Sequence, residues 1–270
     1  MKREELATLV NPLFEVYGRM TVRQVYYQLV SKRLIENSNK SYKAYDSLLT
    51  RCREDGQIDP AMFIDGSRPQ ENYDRYGFTG LEDYVEAIRD DYRRDPLEGQ
   101  EQQVELWIEK DALRRFVMAG LDLPIPNVAT RGYAPFTMLY EAAARSAERP
   151  LVILQLGDHD PSGIDIWRNI RDSLPQATVV RVALTPEQVE EYNLPPIPTK
   201  PGDTRQAGFV EKHGDAAVEL DALPPDALVG LAQKAIDQYI DRDQVAHVAE
   251  LEAAEQERWA GMLQRLEAAL

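Results

Sequence analysis

The chain has 270 residues, 43% of them hydrophobic and 29% charged, with a net charge of -15 and a sequence pI near 4.7. That is the profile of a globular protein with a proper core, and every apolar run is broken by charge too soon to span a membrane. One cysteine, Cys52, and three histidines exclude a disulfide framework and argue against a zinc site, so the expected setting is reducing and cytoplasmic. An acidic balance opposes nucleic-acid binding, but it is unevenly spread: residues 1–60 hold ten Lys or Arg against eight acids.

In chain order, Arg3 to Tyr17 reads as an amphipathic helix closed by Gly18. Thr21-Val22-Arg23-Gln24 is a capping box, and Val22, Val25, Tyr26, Leu29 and Val30 follow it at helical spacing. A third helix is expected from about Ser41 to Glu54, then a short Ile58–Ile64 segment flanked by Pro60, Gly66 and Pro69. Three helices and a small hairpin outline a winged helix, whose third helix is the usual groove reader. Lys40, Lys43, Arg51 and Arg53 would then meet DNA phosphates. A three-helix bundle with a solvated basic face is the plainer alternative. Residues 69–103 look like a linker with one helix, about Leu81 to Arg93.

From residue 104 the pattern becomes alternating strands and helices. Strands are expected at Val104–Ile108, Pro126–Ala129, Leu151–Leu156 and Thr178–Leu184, with helices after Asp111, after the second strand through Glu141, and after Pro161. This predicts an α/β fold with a mainly parallel, Rossmann-like sheet, whose ligands sit beyond the carboxyl ends of the strands. Pro195–Pro201 reads as a surface loop, and helices are expected from about Pro224 onward. The expected organisation is 1–68, 69–103, 104–223 and 224–270.

Three carboxylates fall where that sheet would place a site: Glu109 after the first strand, and Asp158 and Asp160 after the third. Such a cluster needs a cation or a raised pKa, and an all-oxygen set favours Mg²⁺ or Mn²⁺. Asp158-x-Asp160-x-Ser162-Gly163 superficially matches a calcium EF-hand loop, but a strand precedes it and position twelve is Asn169. A haloacid dehalogenase-type phosphatase would start its sheet with this motif, whereas here Glu109 comes first. Asp160 also suits the N-cap of a helix starting at Pro161, which leaves Asp158 and Glu109 unexplained.

Trp107-Ile108-Glu109-Lys110-Asp111-Ala112 together with Gly157-Asp158-His159-Asp160-Pro161-Ser162-Gly163 resembles a Toprim domain. The second motif is close to that of the tyrosine-bearing component of topoisomerase VI and the related meiotic double-strand-break protein, which place a winged helix first. Their tyrosine motif is matched by Arg23-Gln24-Val25-Tyr26-Tyr27, and Glu219-Leu220-Asp221-Ala222-Leu223 resembles a segment following their Toprim core. The match covers about residues 15–225, and the whole chain resembles short phage and bacterial proteins of this type.

The resemblance implies a magnesium-dependent enzyme in which Tyr27 attacks a DNA phosphodiester, with Arg23 one turn away to hold the phosphate. Tyr26 is expected in the core. Glu109, Asp158 and Asp160 would hold the metal, Lys110 would touch phosphate or solvent, and Arg131 and Tyr133 would help line the site. His159 should point away. A homodimer is implied, with a separate ATPase or DNA-binding partner left open. A nuclease using water, as in Old-type nucleases, and a non-catalytic DNA-binding adaptor are the alternatives.

Overall fold

The computed structural model describes residues 2–64, 79–80, 84, 87, 91–197, 209–211, 214 and 216–267. Most of the expected Leu81–Arg93 helix, the far arm of the expected hairpin and much of the Pro195–Pro201 loop lie outside the described residues. The chain divides into two compact units, residues 1–68 with 102–239 and residues 69–101 with 240–270.

In the first unit, α1 (Arg3–Tyr17) ends at Gly18 and α2 (Val22–Ser31) begins at the Thr21 capping box, both arms of which form. Helix α3 (Asn39–Glu54) starts earlier than its apolar periodicity suggests, because Ser38 caps it through the Ser41 amide. Leu6, Val10, Val25, Leu29, Leu49 and Cys52 form the helical core. Tyr26 belongs to it as expected: its hydroxyl donates to the Glu36 and Ser38 carbonyls and accepts from the Ser38 amide. Pro60–Met62 is a 3-10 turn, and Phe63 makes an isolated bridge with Met20. These described residues form no hairpin.

The rest of this unit is α/β. Strands β1 (Gln103–Ile108), β2 (Asn127–Ala129), β3 (Leu151–Leu156) and β4 (Thr178–Ala183) form an all-parallel sheet in the order β2-β1-β3-β4. The helices between them are α4 (Asp111–Gly120), α5 (Phe136–Glu148) and α6 (Pro161–Ser173), followed by α7 (Pro186–Glu191) and α8 (Pro225–Ile236). Every residue of β3 is buried, as a strand covered on both faces must be. Trp107, Leu151 and Ile153 pack with Ala142 of α5 and Ile166 and Ile170 of α6, while α8 packs on β3, β4 and α4. Glu105 also lies within this sheet, where burial is tolerated because Arg145 holds it at 2.6 Å and the Trp107 indole N–H donates to it at 2.9 Å.

The second unit pairs the stretch around residues 91–101 with α9 (Arg242–Glu267). Arg94 binds Glu255 at 2.8 Å, and the Gln100 side chain both donates to the Asp241 carbonyl and accepts from its amide. Among the described residues no helix is long and apolar enough to cross a membrane.

Candidate functional site

The register of β1 on β3 pairs Ile108 with Leu156, so both strands end side by side. The next residues are Glu109 and Gly157-Asp158. Glu109 Oε2 accepts the Asp158 backbone N–H at 3.1 Å, which ties the Glu109 carboxylate to the backbone at the end of the neighbouring strand. Asp160 is turned toward its own helix, where Oδ1 caps α6 by accepting the Gly163 N–H at 2.6 Å. Asp158 Oδ1 accepts the Leu220 N–H at 2.7 Å and the Lys110 ammonium at 2.9 Å. Among the described residues no three His, Cys, Asp or Glu side chains stand arranged to hold a metal ion.

Two glycines allow this close folding of the chain. A Cβ on Gly163 would sit 2.1 Å from the Asp158 carbonyl oxygen. A Cβ on Gly157 would lie 2.6 Å from Gln155 Nε2 and 2.8 Å from Glu109 Oε2. Burial, and then the neighbouring Asp158, push the Glu109 carboxyl up to about 7. The Glu109 carboxylate holds the Asp158 N–H and the Asp158 carboxylate holds the Leu220 N–H and the Lys110 ammonium, and carboxylate oxygens of this kind suit a hard cation such as Mg²⁺.

Lys110 lies at the centre of a buried ionic cluster, with Asp158, Glu219 and Asp221 at 2.9, 3.0 and 2.8 Å. Desolvation works against its charge, but Asp221, Asp158 and Glu219 prevail and hold the ammonium well above its usual range. Glu219 also binds Arg23, whose guanidinium lies 4.9 Å from the centre of the Tyr42 ring. Glu219 is therefore held between Arg23, expected to hold phosphate, and Lys110, expected at phosphate or in solvent. Despite its burial, Lys110 and Arg23 lower its pKa.

Tyr27 is 3% exposed and meets Tyr26 edge-on, with ring centres 5.3 Å apart. Burial, and after it Glu219, push its phenol above the ordinary tyrosine range, against the opposing pull of Lys110 and Arg23. The expected nucleophile thus stands beside the ionic cluster of its own chain in a protonated, enclosed state.

A groove of about 1290 Å³ opens beside these groups, lined by Arg23, Tyr42 and Arg53 from the helices and by Glu109, Lys110 and Arg131 from the α/β part. Arg131 is anchored by its amide to the Glu109 carbonyl and by its side chain to Asp111 at 2.7 Å. The expected DNA-binding residues therefore divide. Arg53 and Arg131 line the groove, whereas Lys40, Lys43 and Arg51 do not. Tyr133 binds Asp165 through its hydroxyl, and His159 pairs with Val218 through its backbone while its ring packs on Phe209.

No family model and no curated protein matches the chain.

Two side chains carry the site without having stood out in the sequence. Arg181 of β4 donates to the Gly157, Asp158, Gly163 and Leu184 carbonyls and to Gln155 Oε1. Burial draws its guanidinium down to about 10, opposed by Glu109, Asp158 and Asp160. Gln155 is fully buried, its Nε2 has no hydrogen-bond partner, and its orientation is set by Arg181. Both were signalled by a polar residue inside an otherwise apolar strand, LVILQL and TVVRVA.

Proposed function

We propose that this protein is a magnesium-dependent enzyme that cleaves or nicks DNA, of the Toprim type suggested by its motifs, with the helical segment serving as a winged helix. The observation that carries this reading is the contact between Glu109 and Asp158 at the ends of adjacent parallel strands, beside a groove with an arginine and lysine lining. Glu109, Asp158 and Asp160 would hold the metal, with Asp160 turning from its helix cap to do so. Bound there, Mg²⁺ (or Mn²⁺) would neutralise charge developing on the phosphate. Arg23 and Lys110 bind the phosphate, in the place where they now share the Glu219 carboxylate. Arg53 and Arg131 guide the strand along the groove. The chain would act in the cytoplasm as a homodimer, and strand passage would require a separate ATPase partner.

Tyr27 is the nucleophile in the reading drawn from its motif. The hydroxyl would attack phosphorus and release a 3′-OH, leaving a 5′-phosphotyrosyl link. The P–O3′ bond breaks as the Tyr27 O–P bond forms, the proton lost by the phenol is balanced by the one the departing 3′ oxygen takes up, and the enclosed Tyr27 must first become accessible. That enclosure favours a second reading, in which water attacks and Tyr27 supports the fold.

End-labelled supercoiled and linear DNA, incubated with Mg²⁺ or Mn²⁺ and run on a denaturing gel, tests both. A protein-linked band lost in Tyr27→Phe and in Asp158→Ala establishes the tyrosine. Cleavage without a linked band, retained in Tyr27→Phe and lost in Asp158→Ala, establishes water. Cleavage that survives Asp158→Ala, or none at all from the homodimer, refutes the proposed enzyme.

A further inference from the structure

We infer that Arg181 is a positioning residue that fixes the shape of the Gly157–Gly163 turn on which Asp158 and Asp160 are carried. Its functional meaning rests on the reading of those carboxylates as metal ligands; its geometry does not. A guanidinium has five N–H donors in a rigid fork. Here five acceptors meet them: Leu184 O at 3.0 Å, Gln155 Oε1 at 2.9 Å, Gly163 O at 3.3 Å, Gly157 O at 3.1 Å and Asp158 O at 2.6 Å.

Every one of these acceptors is neutral. Three belong to the turn itself, and they include the Gly157 and Asp158 carbonyls on either side of the Asp158 amide that binds Glu109. The fork therefore ties the end of β3 to the first turn of α6. A Cβ on Gly157 would meet Arg181 Nη1 at ordinary contact distance, 3.6 Å, so the guanidinium lies close against this glycine. The cation also stands within the field of Glu109, Asp158 and Asp160 while its fork is directed at neutral oxygens. It thus offsets the mutual repulsion of the carboxylates while leaving their oxygens to other partners. A lysine has three donors at one point and cannot span these carbonyls.

The test compares wild type with Arg181→Met, Arg181→Lys and, as a general destabilisation, Leu228→Ala. Hydrogen exchange is measured in EDTA at the Asp158, Gly163 and Leu220 amides, each of which donates to a carboxylate of the site. Mn²⁺ affinity is measured calorimetrically on the folded protein. Arg181→Met is expected to speed exchange at these amides while leaving the Leu106 amide of β1 protected, and to weaken Mn²⁺ binding roughly 10- to 100-fold. Arg181→Lys, which keeps the charge without the fork, should recover only part of both. Leu228→Ala should speed exchange throughout the unit with Mn²⁺ affinity unchanged.

Exchange at the three amides that stays at the wild-type rate in Arg181→Met, or rises everywhere as in Leu228→Ala, overturns the inference. Absence of Mn²⁺ binding by wild type removes the metal reading, and the exchange pattern still decides the positioning role.

Discussion

Replacing Gly163 with alanine places one methyl group against a backbone that cannot easily move. The new Cβ would stand 2.1 Å from the Asp158 carbonyl oxygen and 3.0 Å from its carbon. Ordinary carbon–oxygen contacts begin near about 3.3 Å, so the turn must open by roughly 1 Å. Overpacking of this kind costs about 1–3 kcal/mol, and weakening the Asp160 cap adds about 1 kcal/mol. Against this, alanine is favoured over glycine in a helix by about 0.5–1 kcal/mol. The net loss is about 1–3 kcal/mol, which for a unit of this size lowers Tm by roughly 3–10 °C. Gly230, exposed in α8 with nothing within 4 Å of its would-be Cβ, is the matched control. Gly230→Ala should raise Tm by roughly 1–4 °C. Thermal melts followed by circular dichroism read both. A Gly163→Ala protein melting with wild type or above it would refute the close approach of this turn.

The remaining predictions concern charge. Glu109 holds its proton up to about 7 when folded, against an ordinary value of 4.5. Between those values the folded state retains a proton that the unfolded chain has released, so stability falls as pH rises through this window, by at most about 3 kcal/mol. In EDTA, urea unfolding at pH 5 and pH 8 should show this fall in wild type and a smaller one in Glu109→Gln; equal falls would remove the assigned shift. Lys110→Met leaves Asp158, Glu219 and Asp221 without their shared cation and should cost about 3–5 kcal/mol in the same assay, with Asp221→Asn restoring part of it. Arg53→Gln and Arg131→Gln should each reduce the salt dependence of DNA binding by about one unit, measured by fluorescence anisotropy, while Lys40→Gln leaves it unchanged. Equal effects at all three positions would place DNA outside the groove.

Local signals were legible where one short segment sets its own structure. The Thr21 box, the buried LVILQL strand and the Asp160-Pro161 helix start all rest on neighbours within a few residues, and each forms as the sequence suggests. The sheet order was accessible only as a class, because apolar runs show that strands are buried and leave their neighbours unspecified. Helix α5 runs to Glu148, past the Glu141 expected, since alanines continue a helix without marking its end. The meeting of Glu109 and Asp158 followed from strand-end reasoning. Lys110 could not be placed, because its carboxylates stand 48, 109 and 111 residues away in the chain. Arg181 stood out only as a charge inside an apolar strand; what it binds could not be read, because backbone carbonyls are its main acceptors and leave no trace in side-chain patterns.

The pairing of Gln100 with Asp241 joins stretches made far apart in time. During synthesis the residues around Arg94 emerge well before α9 exists, and the whole sheet is translated in the interval. At the usual ~5–20 residues per second, that wait lasts on the order of ten seconds. For that time Arg94 lacks Glu252 and Glu255, and Gln100 lacks the Asp241 backbone, the partners they finally bind. The second unit can close only when α9 arrives, so removing α9 would unmake a unit begun much earlier in the chain.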